Sequence, residues 1–405
     1  MFGVTLARLS AMIPHTMRFD SGISKGSLNM FVALIGASAA GKSTGKSVSM
    51  DLLRRPRYLD GDLFRDGLPL GSGEGLAEAF YGTVTENQIN EITGKPKVVR
   101  VRQQVRHNVF VYVDEGETLT KTIERAGATI GPAIRSAWNG ELIGQSNARE
   151  ETTRILPQGS YSLGMVMGFQ RSTAQPLLAD AGPGTPQRFL WLSATDPSIP
   201  DTRMNWPGEL TVNLDGREWL SGDVDAIPNV VIDFADPIKD ELWHRNRAYA
   251  RGDVEPPELD AHEPLMRCKV ASLLAVLDGR FYVTEEDWDL SLMVWDTSRA
   301  VRDDLIRWGQ DQQRQREEAR NLAAAVREAA IRDHVRDSHA ANVERVAALL
   351  TSYLKREDMQ TPGNLRRRLS GRDRDIFPEA LEYAISMDAI KYANPSKSKC
   401  RYVSD

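Results

Sequence analysis

Five apolar runs punctuate the first 245 residues: FVALIG (31–36), NVFVYVDE (108–115), SLGMVMGFQ (162–170), QRFLWLSA (187–194) and VVIDFAD (230–236). Helical stretches separate them, and strand–helix alternation of this kind predicts an α/β domain with a largely parallel sheet over 31–245. Proline and glycine clusters (ADAGPGTPQ, ATDPSIPD) mark loops between the runs. Residues 1–30 read as a short helix, LARLSAMI, and a Gly/Ser-rich approach to the first strand.

After residue 246 the spacing turns helical. EPLMRCKVASLLAVLDGR carries apolar residues at helical spacing and ends on Gly279, a residue type suited to a helix stop. Thr284 stands three residues before Asp287, which predicts a capping box with Asp in place of Glu or Gln. These two segments form a helical region over 246–300. Residues 301–338 are polar, Ala-rich and Pro-free, and read as a long exposed connecting helix. In 339–405, NVERVAALLTSYL, TPGNLRRRLSG and FPEALEYAISMDA predict three helices, the last two opening on Pro362 and Pro378. IKYANPSKSKCRYVS predicts two short strands around a turn, and that order describes a winged helix-turn-helix.

Composition narrows the class. The 405 residues are 41% hydrophobic and 26% charged with a formal net charge of −5, which excludes a uniformly basic nucleic-acid coat. From Arg336 onward 13 Lys+Arg face 10 Asp+Glu, a mild local excess of positive charge. Cys268 and Cys400 form no CxxC pair, so a disulfide framework or zinc knuckle is not expected and a reducing cytoplasm is. The N-terminus lacks the pattern of a signal peptide, and no run approaches the ~18 apolar residues of a membrane span.

The chemistry begins at Gly36-Ala37-Ser38-Ala39-Ala40-Gly41-Lys42-Ser43-Thr44, which fits G-x-x-x-x-G-K-[ST] between a strand-like and a helix-like run. Glycines let the backbone wrap a phosphate, and successive N–H groups at a helix N-terminus attract its charge. Lys42 is placed to reach the β- and γ-phosphates and Ser43 to put a hydroxyl on Mg²⁺. VFVYV followed by Asp114-Glu115 sets two acids at the C-terminal end of a buried strand, where open α/β sheets hold their ligands. Asp114 is the candidate Mg²⁺ holder and Glu115 the group that polarises the attacking water, so ATP with Mg²⁺ is the expected ligand. Gln170 ends a third core strand, where ring-forming ATPases keep a residue that senses the γ-phosphate. Arg188 lies between a loop and a strand; it either reaches a neighbouring subunit's nucleotide or pairs with a carboxylate of its own chain.

NAREETTRILPQGSYSLG reads as strand, PQGS turn, strand, a hairpin just before the strand that ends in Gln170. The basic segment KPKVVRVRQQVRH (95–107) reads as a strand and edge beside Asp114 rather than a dedicated nucleic-acid site.

In order along most of the chain, GASAAGKST, GSGEGLAEAFYG, VFVYVDEGE, SAWNGELIGQSNAREETTR, the strand ending in Gln170, GTPQRFLWL and RCKVASLLAVLDGR…VTEEDW resemble the helicase-type ATPase domain of phage, prophage and plasmid replication proteins. These are AAA+ proteins similar to the minichromosome maintenance helicases, often joined to a primase-polymerase half that is not recognisable here. Ala40 departs from the glycine that many relatives carry. The resemblance implies an AAA+ P-loop core over 31–245, a helical lid over 246–300, and an ATP-driven helicase or translocase of single-stranded or forked DNA. It further implies a ring, as a hexamer, in the cytoplasm of a bacterial host, with no membrane partner. By the same resemblance Arg188 is the trans-acting arginine finger, Arg267 a second nucleotide-sensing arginine, and Arg149, Arg154, Gln158, Gly159 and Ser160 are hairpin contacts to DNA. An origin-binding initiator or a helicase loader, whose ATPase acts as a switch, is the alternative. The winged helix serves either to regulate the ring or to read a sequence.

Overall fold

The computed structural model describes residues 1–89, 96–123, 129–145, 154–202, 205–210, 212 and 230–403. The chain divides into two compact units, Met1–Asp311 and Gln312–Asp405.

The first unit opens with α1 (Phe2–Met12), β1 (Arg18–Asp20), β2 (Lys25–Ser27), β3 (Met30–Ile35), α2 (Lys42–Leu52), β4 (Phe64–Leu68) and α3 (Gly73–Glu78). There follow β5 (Tyr81–Ile89), β6 (Pro96–Gln104), β7 (Asn108–Val113), α4 (Glu117–Ile123), α5 (Ile130–Asn139), β8 (Ile143–Gln145), β9 (Arg154–Leu156), β10 (Ser162–Phe169), α6 (Gln175–Ala179) and β11 (Phe189–Ser193). It continues through β12 (Val231–Phe234), α7 (Asp236–Arg251), α8 (Glu263–Leu277) and β13 (Tyr282–Val283) into α9 (Glu285–Arg356), whose residues from 312 belong to the second unit.

Five parallel strands in the order β11-β3-β10-β7-β4 form the central sheet, flanked by helices. β3, β7 and β10 are buried at every position. This explains their near-continuous apolar sequence, because a parallel sheet covered on both faces offers no wet side. The edge strand β4, FRDGL, carries two exposed charged residues and a register shift at Gly67 (φ +82°), and so it has no apolar signature.

The run at 230–236 departs from expectation. β12 lies outside the central sheet, in a second sheet of order β13-β12-β1-β2. Its burial alternates, Val231 and Asp233 exposed and Ile232 and Phe234 buried, as in a strand with one covered face.

Residues 1–30 are built into this unit. α1 packs across β3, β7 and β10, and every residue from Gly3 to Met12 is buried. Close approach is possible because Gly164 on β10 has no side chain: a Cβ there would collide with the Ala7 carbonyl oxygen. Asn108 Nδ2 donates to Ala11 O (2.7 Å) and Ile13 O (2.8 Å), satisfying the C-terminal carbonyls of α1. The buried guanidinium of Arg8 pairs with Asp66 at 2.8 Å and donates to Leu53 O.

Two helix boundaries follow the local sequence. Gly279 (φ +74°) ends α8 in a Schellman arrangement, its N–H donating to Val276 O (3.0 Å) and that of Arg280 to Ala275 O (2.8 Å). At the start of α9 the Thr284 N–H donates to Asp287 Oδ2 (2.9 Å) and the Asp287 N–H to Thr284 Oγ1 (3.3 Å), the reciprocal pair of a capping box.

In the second unit, the C-terminal part of α9 packs with α10 (Pro362–Arg368), α11 (Phe377–Ser386) and the antiparallel pair β14 (Ile390–Tyr392) and β15 (Cys400–Tyr402). Val346, Leu350, Leu365, Phe377, Leu381 and Ile390 are among its core residues. Thr361 caps α10 by accepting from the Asn364 N–H, with Pro362 in the first turn. Cys268 and Cys400 are buried free thiols. Among the described residues no helix is long and apolar enough to cross a membrane.

Candidate phosphate and metal site

The chain leaves β3 into the loop 36–41 and enters α2 at Lys42. Gly41 (φ +81°) and Ala39 (φ +65°) take left-handed conformations that turn the loop back on itself. Gly36 is needed at the exit, because a Cβ there would lie 2.8 Å from Ala194 Cβ and 3.0 Å from Ala40 Cβ. The N–H groups of the first turn of α2 have no carbonyl one turn earlier in the helix to bond, and they carry partial positive charge. Lys42 Nζ donates to Gly36 O (2.8 Å) and Ala37 O (2.9 Å).

β10 separates the strand of the loop from β7, the strand of the acids. Asp114 and Glu115 follow β7 directly, and the Gly116 N–H donates to Gly168 O (2.7 Å), holding the acidic turn against β10. Gly168 admits that approach: a Cβ there would collide with the Asp114 carbonyl oxygen and lie 3.3 Å from Lys42 Cδ. Ser43 Oγ donates to Asp114 Oδ2 across 3.1 Å. Beneath them the Tyr112 hydroxyl donates to Lys42 O (3.2 Å), and burial, aided by the nearby Asp114 charge, pushes the phenol up to about 12.

These pieces enclose a cavity of about 350 Å³ lined by residues 38–44, Asp114, Glu115, Glu117, Gly168–Gln170 and Thr173. Of the candidates read from sequence, the structure therefore brings together Ser38, Ala39, Ala40, Gly41, Lys42, Ser43, Thr44, Asp114, Glu115 and Gln170. Gly36 and Ala37 border a second cavity on the other side of the loop, which Gln170 also borders. The donor set suits Mg²⁺ and a polyphosphate. A hydroxyl and a carboxylate already close together are hard oxygen ligands, and a lysine with helix N–H groups neutralises phosphate charge.

Sequence reading missed Gly168, Glu117 and Thr173. A glycine within an apolar strand is a signal of close backbone approach. Thr173 Oγ1 accepts from the Gln170 N–H (2.9 Å), a hydroxyl turn that the polar QRST segment allows.

The arginines lie elsewhere. Arg188 precedes β11, whose first residue pairs with Phe31 near the start of β3, so it stands at the end of the sheet opposite the loop. Its Nη1 donates to Gly184 O (2.5 Å), its guanidinium lies 5.8 Å from the Trp138 ring, and burial lowers its pKa. Arg267 is buried on α8, with its guanidinium 3.8 Å from the Trp288 ring and 3.5 Å from Glu241. Burial lowers its pKa against the raising pull of Glu241 and Glu263, and it does not line the phosphate cavity.

The hairpin expectation needs correction. β9 pairs antiparallel with β8, whereas β10 enters the central sheet parallel to β3 and β7. The PQGS turn therefore redirects the chain instead of forming a hairpin tip. Gly159 O accepts from Arg18 Nη2 (2.9 Å), the Gly159 N–H donates to Gly140 O (3.0 Å), and Ser160 O lies 2.6 Å from His107 Nδ1. Gln158, Gly159 and Ser160 thus belong to the strand-start end of the unit, away from the phosphate cavity. Arg149 lies outside the described residues. Arg154 Nε donates to Glu78 Oε2 at 2.6 Å, and its guanidinium sits 5.5 Å from the Tyr81 ring.

The basic segment 95–107 is likewise not an edge beside Asp114. β6 pairs along its length with β5 in a separate two-stranded ribbon. Arg106 is buried at its base and donates to Asp62 O, Ala79 O and Tyr81 O.

An α/β unit with a five-stranded parallel sheet and this loop is compatible with a P-loop-like core. The sequence matches no family profile and no curated protein.

Proposed function

We propose that this protein is an ATP-dependent DNA helicase or translocase of a phage or other mobile-element replication system, working as a hexameric ring on single-stranded or forked DNA in a bacterial cytoplasm. The observation that carries the catalytic half of this reading is the convergence of Lys42, Ser43, Asp114, Glu115 and Gln170 on one cavity at the C-terminal ends of β3, β7 and β10. In this reading Lys42 exchanges the carbonyls of Gly36 and Ala37 for the β- and γ-phosphates. Ser43 and Asp114 hold Mg²⁺, which when bound neutralises charge on the phosphate oxygens. Glu115 orients and deprotonates the attacking water, and Gln170 contacts the γ-phosphate.

The ring and the DNA rest on the resemblance of the ordered motifs. An arginine at the far end of β11 is remote from its own chain's loop, which suits a role for Arg188 on a neighbour's nucleotide after release from Gly184 O. Arg267 and the α7–α8 region belong to a helical lid in this reading. The antiparallel pair β8–β9 with Arg154 faces the nucleic acid in this reading. The second unit is a winged helix, in which exposed Arg366 and Arg367 on α10 favour contact with a phosphate backbone. That basic face also supports the alternative of an origin-binding initiator or helicase loader, with the ATPase as a switch.

Unwinding of a forked duplex by the full chain with ATP and Mg²⁺, alongside Glu115→Gln, tests the proposal. Strand separation by the wild type and none by the variant is expected. DNA-stimulated ATP turnover without strand separation would reject the helicase and favour the loader. Tight, salt-resistant preference for one duplex sequence would favour the initiator.

A further inference from the structure

The phosphate loop has two sides of different chemistry. One side is the cavity with the acids, Lys42 and the helix N-terminus. The other is a larger cavity of about 660 Å³, bordered by Gly36 and Ala37 of the loop and sharing Gln170 with the first. The two are therefore neighbours across a single turn of backbone.

The walls of the second cavity are apolar where the first is charged. Val301, Leu305 and Trp308 of α9 face Ile35 at the end of β3. Its two charged residues neutralise each other: Arg171 Nη2 contacts Asp304 Oδ2 at 2.6 Å. Ser193 and Thr195, at the exit of β11, put two hydroxyls on its rim, 2.9 Å apart. Each hydroxyl retains hydrogen-bonding capacity beyond that mutual contact. A neutral, largely apolar cleft with a tryptophan and a few polar groups is poor for a polyphosphate. It suits a flat heterocycle and a sugar, and its volume falls in the range of small-molecule sites.

We infer that this cleft is the nucleoside subsite of the nucleotide whose phosphates meet the loop, with Trp308 as the stacking surface for the base and Ser193 and Thr195 as polar contacts. The inference rests on the phosphate-loop reading and adds a consequence. Because Val301, Asp304, Leu305 and Trp308 all belong to α9, a bound nucleoside joins the start of that helix to the exits of β3, β10 and β11.

The test is calorimetric titration of the full chain with MgATP and, separately, with magnesium tripolyphosphate, which has the phosphates and no nucleoside. Trp308→Ala is expected to weaken MgATP about tenfold or more, as loss of one base–aromatic stack does, and to leave tripolyphosphate within about twofold. Trp308→Phe is expected to restore most of the ATP affinity. Unchanged ATP affinity in Trp308→Ala, or equal weakening of both ligands, overturns the subsite. A wild-type chain that binds neither ligand overturns the phosphate-loop reading instead. Photolabelling of the wild-type chain with 8-azido-ATP needs no variant to fold. Label in the peptides around 193–195 or 300–308 is expected, and label confined elsewhere overturns the inference.

Discussion

Ser43 Oγ and Asp114 Oδ2 stand 3.1 Å apart although 71 residues separate them in sequence. The loop of one strand and the acid of another meet across β10. If the two oxygens serve one ion, their losses are not independent. Ser43→Ala and Asp114→Asn are each expected to lower apparent Mg²⁺ affinity by at least about tenfold, and the double variant to cost little more than the worse single one. ATP turnover against Mg²⁺ concentration reads this, and fully additive losses would separate the two residues.

Gly168 sets the distance between the acidic turn and the phosphate loop. Gly168→Ala forces a methyl against the Asp114 carbonyl and is expected to destabilise the first unit by about 1–3 kcal/mol while displacing Asp114 from Ser43. Thermal unfolding and MgATP titration of the same sample check both effects. A variant with wild-type stability and wild-type binding would show that the strand yields without cost.

The ion pair between the buried Arg8 and the solvent-accessible Asp66 fastens α1 to β4. Arg8→Ala removes a buried side chain and its bonds to Asp66 and Leu53 O while Asp66 keeps access to water, and a loss of about 2 kcal/mol is expected. Arg8→Met combined with Asp66→Leu is expected to recover most of it, since an apolar pair needs no desolvation of charge. All eight tryptophans lie within Met1–Asp311, so their fluorescence during urea denaturation isolates this unit. A loss below about 1 kcal/mol in Arg8→Ala would contradict a structural role for the pair.

Two histidines make the first unit sensitive to acid. Burial, reinforced by Arg188 and Lys269, lowers His262 to about 4, and burial, reinforced by His107 and Arg18, lowers His15 to about 3. Both are neutral in the folded chain at pH values where the unfolded chain, titrating near 6.5, takes up protons. Their contribution is complete above about pH 6.5 and is lost as pH falls toward 4 for His262 and 3 for His15. His262→Gln is expected to flatten the fall in melting temperature between pH 6.5 and 4. An unaltered pH profile in that variant would assign the acid sensitivity to other groups.

How far the sequence carried the reading depended on how each residue is buried. β3, β7 and β10 were legible because strands covered on both faces must be apolar. The edge strand β11 was legible because its first three residues, Phe189, Leu190 and Trp191, are buried, and the capping box at Thr284 and Asp287 because its bonds are local. β4 was not, since an edge strand tolerates Arg65 and Asp66. The second sheet was not either, since its strands are two to four residues long and come from distant parts of the chain. At the site, the loop and acids were legible by spacing, whereas Gly168 acts through bare backbone that only the pairing of β10 defines, and Thr173 through a hydroxyl turn whose place beside the cavity depends on where β10 ends. The hairpin failed for a related reason: PQGS is a turn in either topology, and the partner of β9 is chosen by tertiary packing.

β10 carries one further consequence. On one face it holds two glycines four residues apart, Gly164 seating α1 and Gly168 seating the acidic turn. With both neighbours requiring bare backbone, this strand has almost no mutational latitude on that face. A saturation scan would find the fold and the candidate active site extinguished together along one line of positions, so selection on stability alone would preserve much of the chemistry.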